Sequence, residues 1–463
     1  MTVRIPAFRD GHAHPIFAGR EALGPQLDGI KSLEQILETV GKFAQANPQT
    51  EWIVGGAYER SLADTFLATW LDEVVPDRPV VLHASDHHTI WVNSEALRRA
   101  GALESFPEVF PGFADTDASG RPTGTLRESG AMDVVLSCIP PLSMQSELKA
   151  LNWAQERLLS NGIVQVQDAW IERGMAEIYL EALSRNQIKV ATNLAFRITP
   201  ENFEADLGYY LDLRSKVENA NSPLLTAKTA KFFADGVLGS GTASVMEPYL
   251  DTHSHGEPVW EKEQLQKAAN LYAERGFQLH IHAIGDAAVR DALGVISNAP
   301  KTDLPSVIAH AELVSDEDVP RFAQLGVIAN MQPLWARPDG MLLSCKPRIG
   351  DRLEQMYKMR SLLAAGATIS FGSDWPVSSV SPLEGIQTAV TRSYEGQANN
   401  PAEAIAVQDA LIAYTAAVKK QLGSKDLEET VLLSDDPRMV DPSEISSIDV
   451  LEVRRGKELL FSR

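Results

Sequence analysis

The sequence predicts an α/β fold, a (β/α)8 TIM-type barrel with a large insertion after strand one and a reduced C-terminal β extension. Three observations predict it. Short apolar, β-branched runs recur eight times along the 463 residues. Helical patterns lie between them and stop at Gly or Asn-Gly. The residues able to bind a metal or move a proton stand at the ends of those runs, where a barrel gathers its chemistry.

The first run is VRIPAF, leading into Asp10-Gly11-His12-Ala13-His14. The others are GIVQVQDAW (162–170), IKVATNLAFRI (188–198), TAKTAKFFADG (226–236), FQLHIHAIGD (277–286), PSVIAHAE (305–312), GVIANMQP (326–333) and ATISFGSDWP (367–376). Helical stretches precede several of them: MQSELKALNWAQERLLSNG the second, EKEQLQKAANLYAERG the fifth, DEDVPRFAQLG the seventh and MRSLLAAG the eighth. Alternating strands and helices imply a parallel sheet, and eight repeats imply a closed barrel.

Two regions depart from the repeat. Residues 15–150 are far too long for a strand-to-helix loop. They hold the strand-like pieces WIVGGAY, PVVLHAS and TIWVN and turn-rich text between. They are expected to form an inserted subdomain over the active site. Residues 429–463, with TVLLSDDP and SSIDVLEVRRGKELLFSR, are expected to be the remnant of a small β-domain. Residues 1–14 and 151–428 would then make the barrel.

Composition narrows the function. Hydrophobic residues at 44% and charged residues at 22% suit a globular protein with a sizeable core. A formal net charge of −20 repels phosphate backbones and anionic membranes, so neither nucleic acid nor membrane is an expected partner. Cys138 and Cys345 stand far apart in no metal-type spacing, as in a protein kept reduced. The opening MTVRIPAFRD has no signal-peptide character and no apolar run nears the roughly 18 residues of a membrane span. The expectation is a cytoplasmic enzyme acting on a small molecule, with a homodimer as the assembly considered.

His12 and His14 follow run one, His280 and His282 end run five, His310 ends run six and Asp374 ends run eight. Taken singly, each has an ordinary structural reading. A His-x-His pair arises by chance, a histidine in a strand is often packed on a carbonyl, and Asp374 before Trp-Pro suits a helix cap. Taken together, imidazoles and a carboxylate at the strand ends of one barrel suit Zn²⁺ or a similar divalent ion. A lysine in run four, Lys231 or Lys228, could join them if CO2 converted its amine to an anionic carbamate. Spacing alone does not choose between the two.

The segments DGHAHP, KFFADGVLGSGTA, HAIGDAAV, AHAE and FGSDWPV, in this order, resemble the signature segments of the amidohydrolase superfamily. The similarity is to the branch containing N-substituted formamide deformylase, and it runs from about residue 8 to residue 445. The resemblance implies a ligand set of His12, His14, Lys231, His282, His310 and Asp374, with Lys231 carrying a CO2-derived carboxylate. It implies one or two divalent metal ions, zinc foremost, and hydrolysis of a carbon–nitrogen bond of amide or formamide type. Asp374 would be the catalytic base and then acid. His88 and Asn93 in the insertion are candidate substrate contacts. So are Trp170 and Trp335 after runs two and seven, and Asp235, which could instead orient a ligand. His83, His87, His253 and His255 stay open.

Two rivals remain at this point. One is a mononuclear deaminase or an esterase or lactonase of the same superfamily, though HAIGD lacks the Glu that nucleobase deamination asks for after the strand-five His. The other is a non-catalytic metal-binding barrel, against which the intact ligand set speaks.

Overall fold

The computed structural model describes residues 1–463 apart from 86, 110, 111 and 426 and the side chain of Ser129. By its packing the chain divides into two compact units: Met1–His14 with Gln155–Arg463, and Pro15–Ala154.

The first unit contains a parallel sheet of eight strands, in the order in which they occur along the chain. They are β1 (Phe8–Ala13), β2 (Ile163–Ile171), β3 (Ala191–Arg197), β4 (Leu225–Phe233), β5 (Gln278–Ala283), β6 (Val307–His310), β7 (Ile328–Met331) and β8 (Thr368–Phe371). Every neighbouring pair is parallel. This is the predicted (β/α)8 architecture, and the predicted helices fall at Met144–Ser160, Lys262–Ala273, Val319–Leu325 and Met359–Ala364.

The ends of β1 and β8 meet just beyond the sheet. The Asp374 amide donates to the His12 carbonyl and the His14 amide to the Trp375 carbonyl, each at 2.8 Å. The buried Asp10 carboxylate fastens the same seam, accepting from the His12 amide (2.9 Å), the Ser373 amide (3.1 Å) and the Ser373 hydroxyl (2.6 Å). The backbones approach closely at Gly372, where a Cβ would lie 2.7 Å from both Cβ and N of His12. Gly372→Ala must push His12 aside. It should lower the thermal midpoint, at a cost of about 1–3 kcal/mol, the range for overpacking a closed site. An unchanged midpoint in a melting curve would show that the seam is slack.

One expectation needs correcting. VRIPAF is not all barrel strand. Val3–Pro6 pairs antiparallel with Glu429–Leu433, and that strand pairs with Val450–Arg455, which pairs with Glu458–Ser462, in a separate four-stranded sheet. The change of sheet falls at Pro6, which has no amide proton to continue a ladder. The Ala7 amide still donates to the Glu429 carbonyl (3.1 Å), and the Phe8 amide donates to Gly162 beside β2 (3.0 Å).

The barrel is lined with amides and hydroxyls as well as the branched apolar side chains usual in such a core. Gln167, Asn193, Thr229, Asn330 and Ser370 are wholly buried. Asn193 Nδ2 donates to Gln167 (3.0 Å) and Thr229 (2.8 Å), and the Thr229 hydroxyl donates to Gln278 (2.7 Å). Gln421, from the helix Ala416–Leu422, joins this network through its donor–acceptor amide. Mutual pairing makes burying such groups affordable.

The second unit holds a five-stranded sheet in the order Ile53–Tyr58, Val80–Ala84, Thr89–Val92, Pro122–Arg127, Phe113–Thr116. It has apolar clusters of its own, around Ile36, Val40, Leu82 and Trp91, and around Val81, Ile90 and Leu126. Among the described residues no helix is long and apolar enough to cross a membrane.

Candidate metal centre

His12 lies in β1 and His14 just past it, two residues apart, and Asp374 follows β8. The closed seam brings them together. Asp374 Oδ1 is 2.8 Å from His14 Nε2 and 3.3 Å from His12 Nε2. The three donor atoms lie within 4.8 Å of one another, and all three residues are buried. Asp374 has φ +57°, in the left-handed region that most residues avoid but Asp tolerates. Its amide bond to His12 holds it there, so the carboxylate is aimed by the seam.

His310 and His282 stand beside this trio. The His310 ring centroid is 4.9 Å from that of His12 and 4.5 Å from that of His282. His310 has φ +74°, a strained value for a non-glycine residue, and sits at the end of β6. His282 Nε2 approaches the Gly236 carbonyl at 3.2 Å. A carbonyl only accepts, so Nε2 carries the proton and Nδ1 the lone pair.

The structure separates the two lysines. Lys228 is half-buried, whereas Lys231 has no exposed surface. Its Nζ lies 4.7 Å from the Phe233 ring centroid and has no hydrogen-bond partner among the described residues. Burial lowers the amine to about 7, against the opposing pull of Asp374.

Electrostatics keep the donors in the state a cation needs. Burial first, and then the charge of Lys231, hold His12 well below the usual imidazole range; burial, then His282, does the same to His310. Burial alone would raise Asp374, but the hydrogen bond from His14 and the neighbouring basic groups outweigh it and hold the carboxyl below the usual carboxylate range. Neutral imidazoles and an anionic carboxylate are the ligating forms. The donor set, with a buried amine that lacks a partner, therefore fits one or two divalent cations.

Gln332 and Glu312 were not legible as site residues, whereas His280 stood beside His282 at the end of run five. His280 Nε2 lies 3.1 Å from His12 Nδ1, on the ring edge away from Asp374. Gln332 Oε1 lies 2.8 Å from His310 Nδ1. Glu312, two residues past His310, is buried against Tyr357. Burial pushes its carboxyl up to about 8 although the Tyr357 hydrogen bond pulls the other way.

The expected substrate contacts divide. Trp335 is buried and stacks on His310 at 5.2 Å and 11°. Trp170 stands edge-on to His14 at 6.1 Å and packs on Phe233 at 4.7 Å, with the Arg197 guanidinium 4.6 Å from its centroid. Both tryptophans therefore border the donors. Asp235 is occupied by the chain itself, accepting from the amides of Ile284 (3.0 Å), Ser244 (2.9 Å) and Gly285 (2.9 Å). It also lies 3.6 Å from His282 Nε2.

Asn93 belongs to the second unit and is wholly buried. Its Oδ1 accepts from Val80 (2.9 Å) and Ala96 (3.0 Å), and its Nδ2 donates to Val75 (3.0 Å) and Arg78 (2.8 Å). No part of that amide is left for a ligand, and it caps the helix Ser94–Arg99 instead. His88, in the same unit, pairs with Glu128 at 3.0 Å. His83 is pushed down to about 4 by burial, His87 faces Glu21 at 3.5 Å and His255 bonds the Val245 carbonyl at 3.0 Å.

A model of the amidohydrolase family matches residues 3–453. Protein LONG AFTER FAR-RED 3 of Arabidopsis thaliana is 30% identical, across 90% of this chain and 73% of its own length. N-substituted formamide deformylase of Arthrobacter pascens is 26% identical, across 89% of this chain and 78% of its own. Among solved structures, an uncharacterized metal-dependent hydrolase from Pyrococcus furiosus superposes with a TM-score of 0.72 at 26% identity, covering 94% of this chain and 88% of that one.

Proposed function

The chain belongs to the amidohydrolase family, and from that premise we propose that it hydrolyses a carbon–nitrogen bond of amide or formamide type in a small molecule. The observation that carries the proposal is the convergence of His12, His14 and Asp374 beside the buried, unpartnered amine of Lys231. In this reading His12, His14, His282, His310, Asp374 and a carboxylated Lys231 hold one or two divalent cations, zinc foremost. When bound, such a cation acidifies a water molecule and polarises the substrate carbonyl.

The chain's own residues do the rest. Asp374 keeps Oδ1 toward the two imidazoles and takes the proton of the attacking water on its other oxygen. It then hands that proton to the departing nitrogen, so one carboxylate serves as base and then acid. Lys231 reacts as the neutral amine, forming an N–C bond to CO2 and releasing one proton, and the product is an anion where a cation would be repelled. Trp335 and Trp170 supply apolar walls against which an acyl group can lie.

The test is a panel of formamides, amides, esters and lactones, assayed before and after chelation and after adding back zinc. Turnover of formamides or amides that disappears with chelator and returns with metal is expected. Cleavage confined to esters or lactones would overturn the carbon–nitrogen assignment. Activity that survives metal removal would overturn the metal-dependent reading itself.

A further inference from the structure

We propose that a chain of buried amides, anchored on the backbone carbonyl of Gly11, fixes the tautomer of His310 and makes Gln332 its positioning residue. The inference rests on the reading of His310 as a metal ligand.

The Gly11 carbonyl can only accept, so the Gln421 nitrogen that reaches it at 2.8 Å is Nε2, the donor. Oε1 of Gln421 therefore faces the other way and accepts from the Ser370 hydroxyl (2.6 Å) and from Asn330 Nδ2 (3.4 Å). Asn330 Nδ2 also donates to Ser370 Oγ (2.9 Å). With its nitrogen committed there, Asn330 presents Oδ1 to Gln332, whose Nε2 donates at 3.1 Å. Gln332 in turn has only Oε1 left for His310, and it meets Nδ1 at 2.8 Å. An acceptor there requires a proton on Nδ1, and His310 Nε2 is left with the lone pair that a cation needs.

Each link has a fixed polarity, so reversing any amide would oppose donor to donor or acceptor to acceptor at a buried contact. A reversed Gln332 would turn its NH2 toward Nδ1 and move the imidazole proton to Nε2, the nitrogen required for binding. All four side chains are buried, so water does not substitute for a missing link. Space for the crossing exists because residue 11 is glycine. A Cβ there would lie 2.4 Å from Asn330 Nδ2. The anchor also adjoins His12, so one backbone segment positions a first donor directly and a second through the relay.

The experiment measures zinc affinity of the full-length protein by competition with a chromophoric chelator, for wild type, Gln332→Met, Gln332→Glu and His310→Ala. Met fills the space without accepting and should weaken binding roughly 10–100-fold, as loss of a ligand's orienting partner does. Glu keeps an acceptor facing His310 Nδ1 while losing the bond to Asn330, and should weaken binding clearly less than Met does. Equal weakening by Met and Glu would reduce Gln332 to packing. Unchanged affinity in Gln332→Met, with His310→Ala weakened, would overturn the relay alone. Unchanged affinity in His310→Ala would overturn the ligand reading beneath it. Should Gln332→Met not fold, imidazole 15N spectra of the wild-type protein decide, with His310 assigned by its absence in His310→Ala. A protonated Nδ1 and bare Nε2 are expected, and the opposite tautomer would end the proposal.

Discussion

Asp374→Asn is expected to lower turnover of any amide or formamide substrate by roughly 10²–10⁴-fold, the range for losing a general acid–base group. The fold should survive it. Residue 374 sits at φ +57°, and Asn enters the left-handed region as readily as Asp. The bond that holds it there comes from its backbone amide to the His12 carbonyl, which the substitution does not touch. His12, His14, His282 and His310 remain, so much of the metal should remain too. What disappears is the negative charge of the buried carboxylate, and with it the proton acceptor. Steady-state kinetics paired with metal analysis of the same preparation checks this. A variant with full metal content and a near wild-type rate would show that the proton goes elsewhere.

The parts of this site that the sequence made legible share one property, a local signal. Apolar runs set off by helical stretches that stop at Gly or Asn-Gly give the strands, and His12, His14, His282, His310 and Asp374 are conspicuous at their ends. The change of sheet at Pro6 was also local, but the apolar run VRIPAF masked it. What was missed depends on partners brought together by barrel closure. Asp10 reads as an ordinary residue before Gly11 until Ser373 arrives from the other end of the barrel. Gln332 acquires meaning only through the ring it faces. Asn93 shows the converse: its neighbours in HASDHHTIWVNSEAL suggested chemistry, but its amide closes on backbone atoms of its own unit. One missed feature did leave a trace. Gln165 and Gln167 alternate with valines in IVQVQDAW, and polar residues at period two within a buried strand imply a hydrogen-bonded barrel interior.

Lys231→Met separates function from stability most sharply, because the two should move in opposite directions. A buried amine without a partner is a burden on the fold, and a methionine of similar length removes it without opening a cavity. The thermal midpoint of the metal-free variant should therefore equal or exceed that of the metal-free wild type. If Lys231 is the carboxylated ligand, the metal content of the variant should fall from two per chain toward one. Turnover should drop by on the order of 10²-fold or more, since a metal's stabilisation of transition-state charge is worth several kcal/mol. Wild-type protein should in turn load more metal in bicarbonate than in buffer stripped of CO2, and the variant should show no such difference. A lysine serving only as packing predicts the same gain in stability with metal content and rate unchanged, so the pair of measurements distinguishes the roles where either alone would not. In the carboxylated-ligand reading the Lys231 amine, which burial lowers to about 7, costs the apo fold stability and is turned into an anion by taking up CO2.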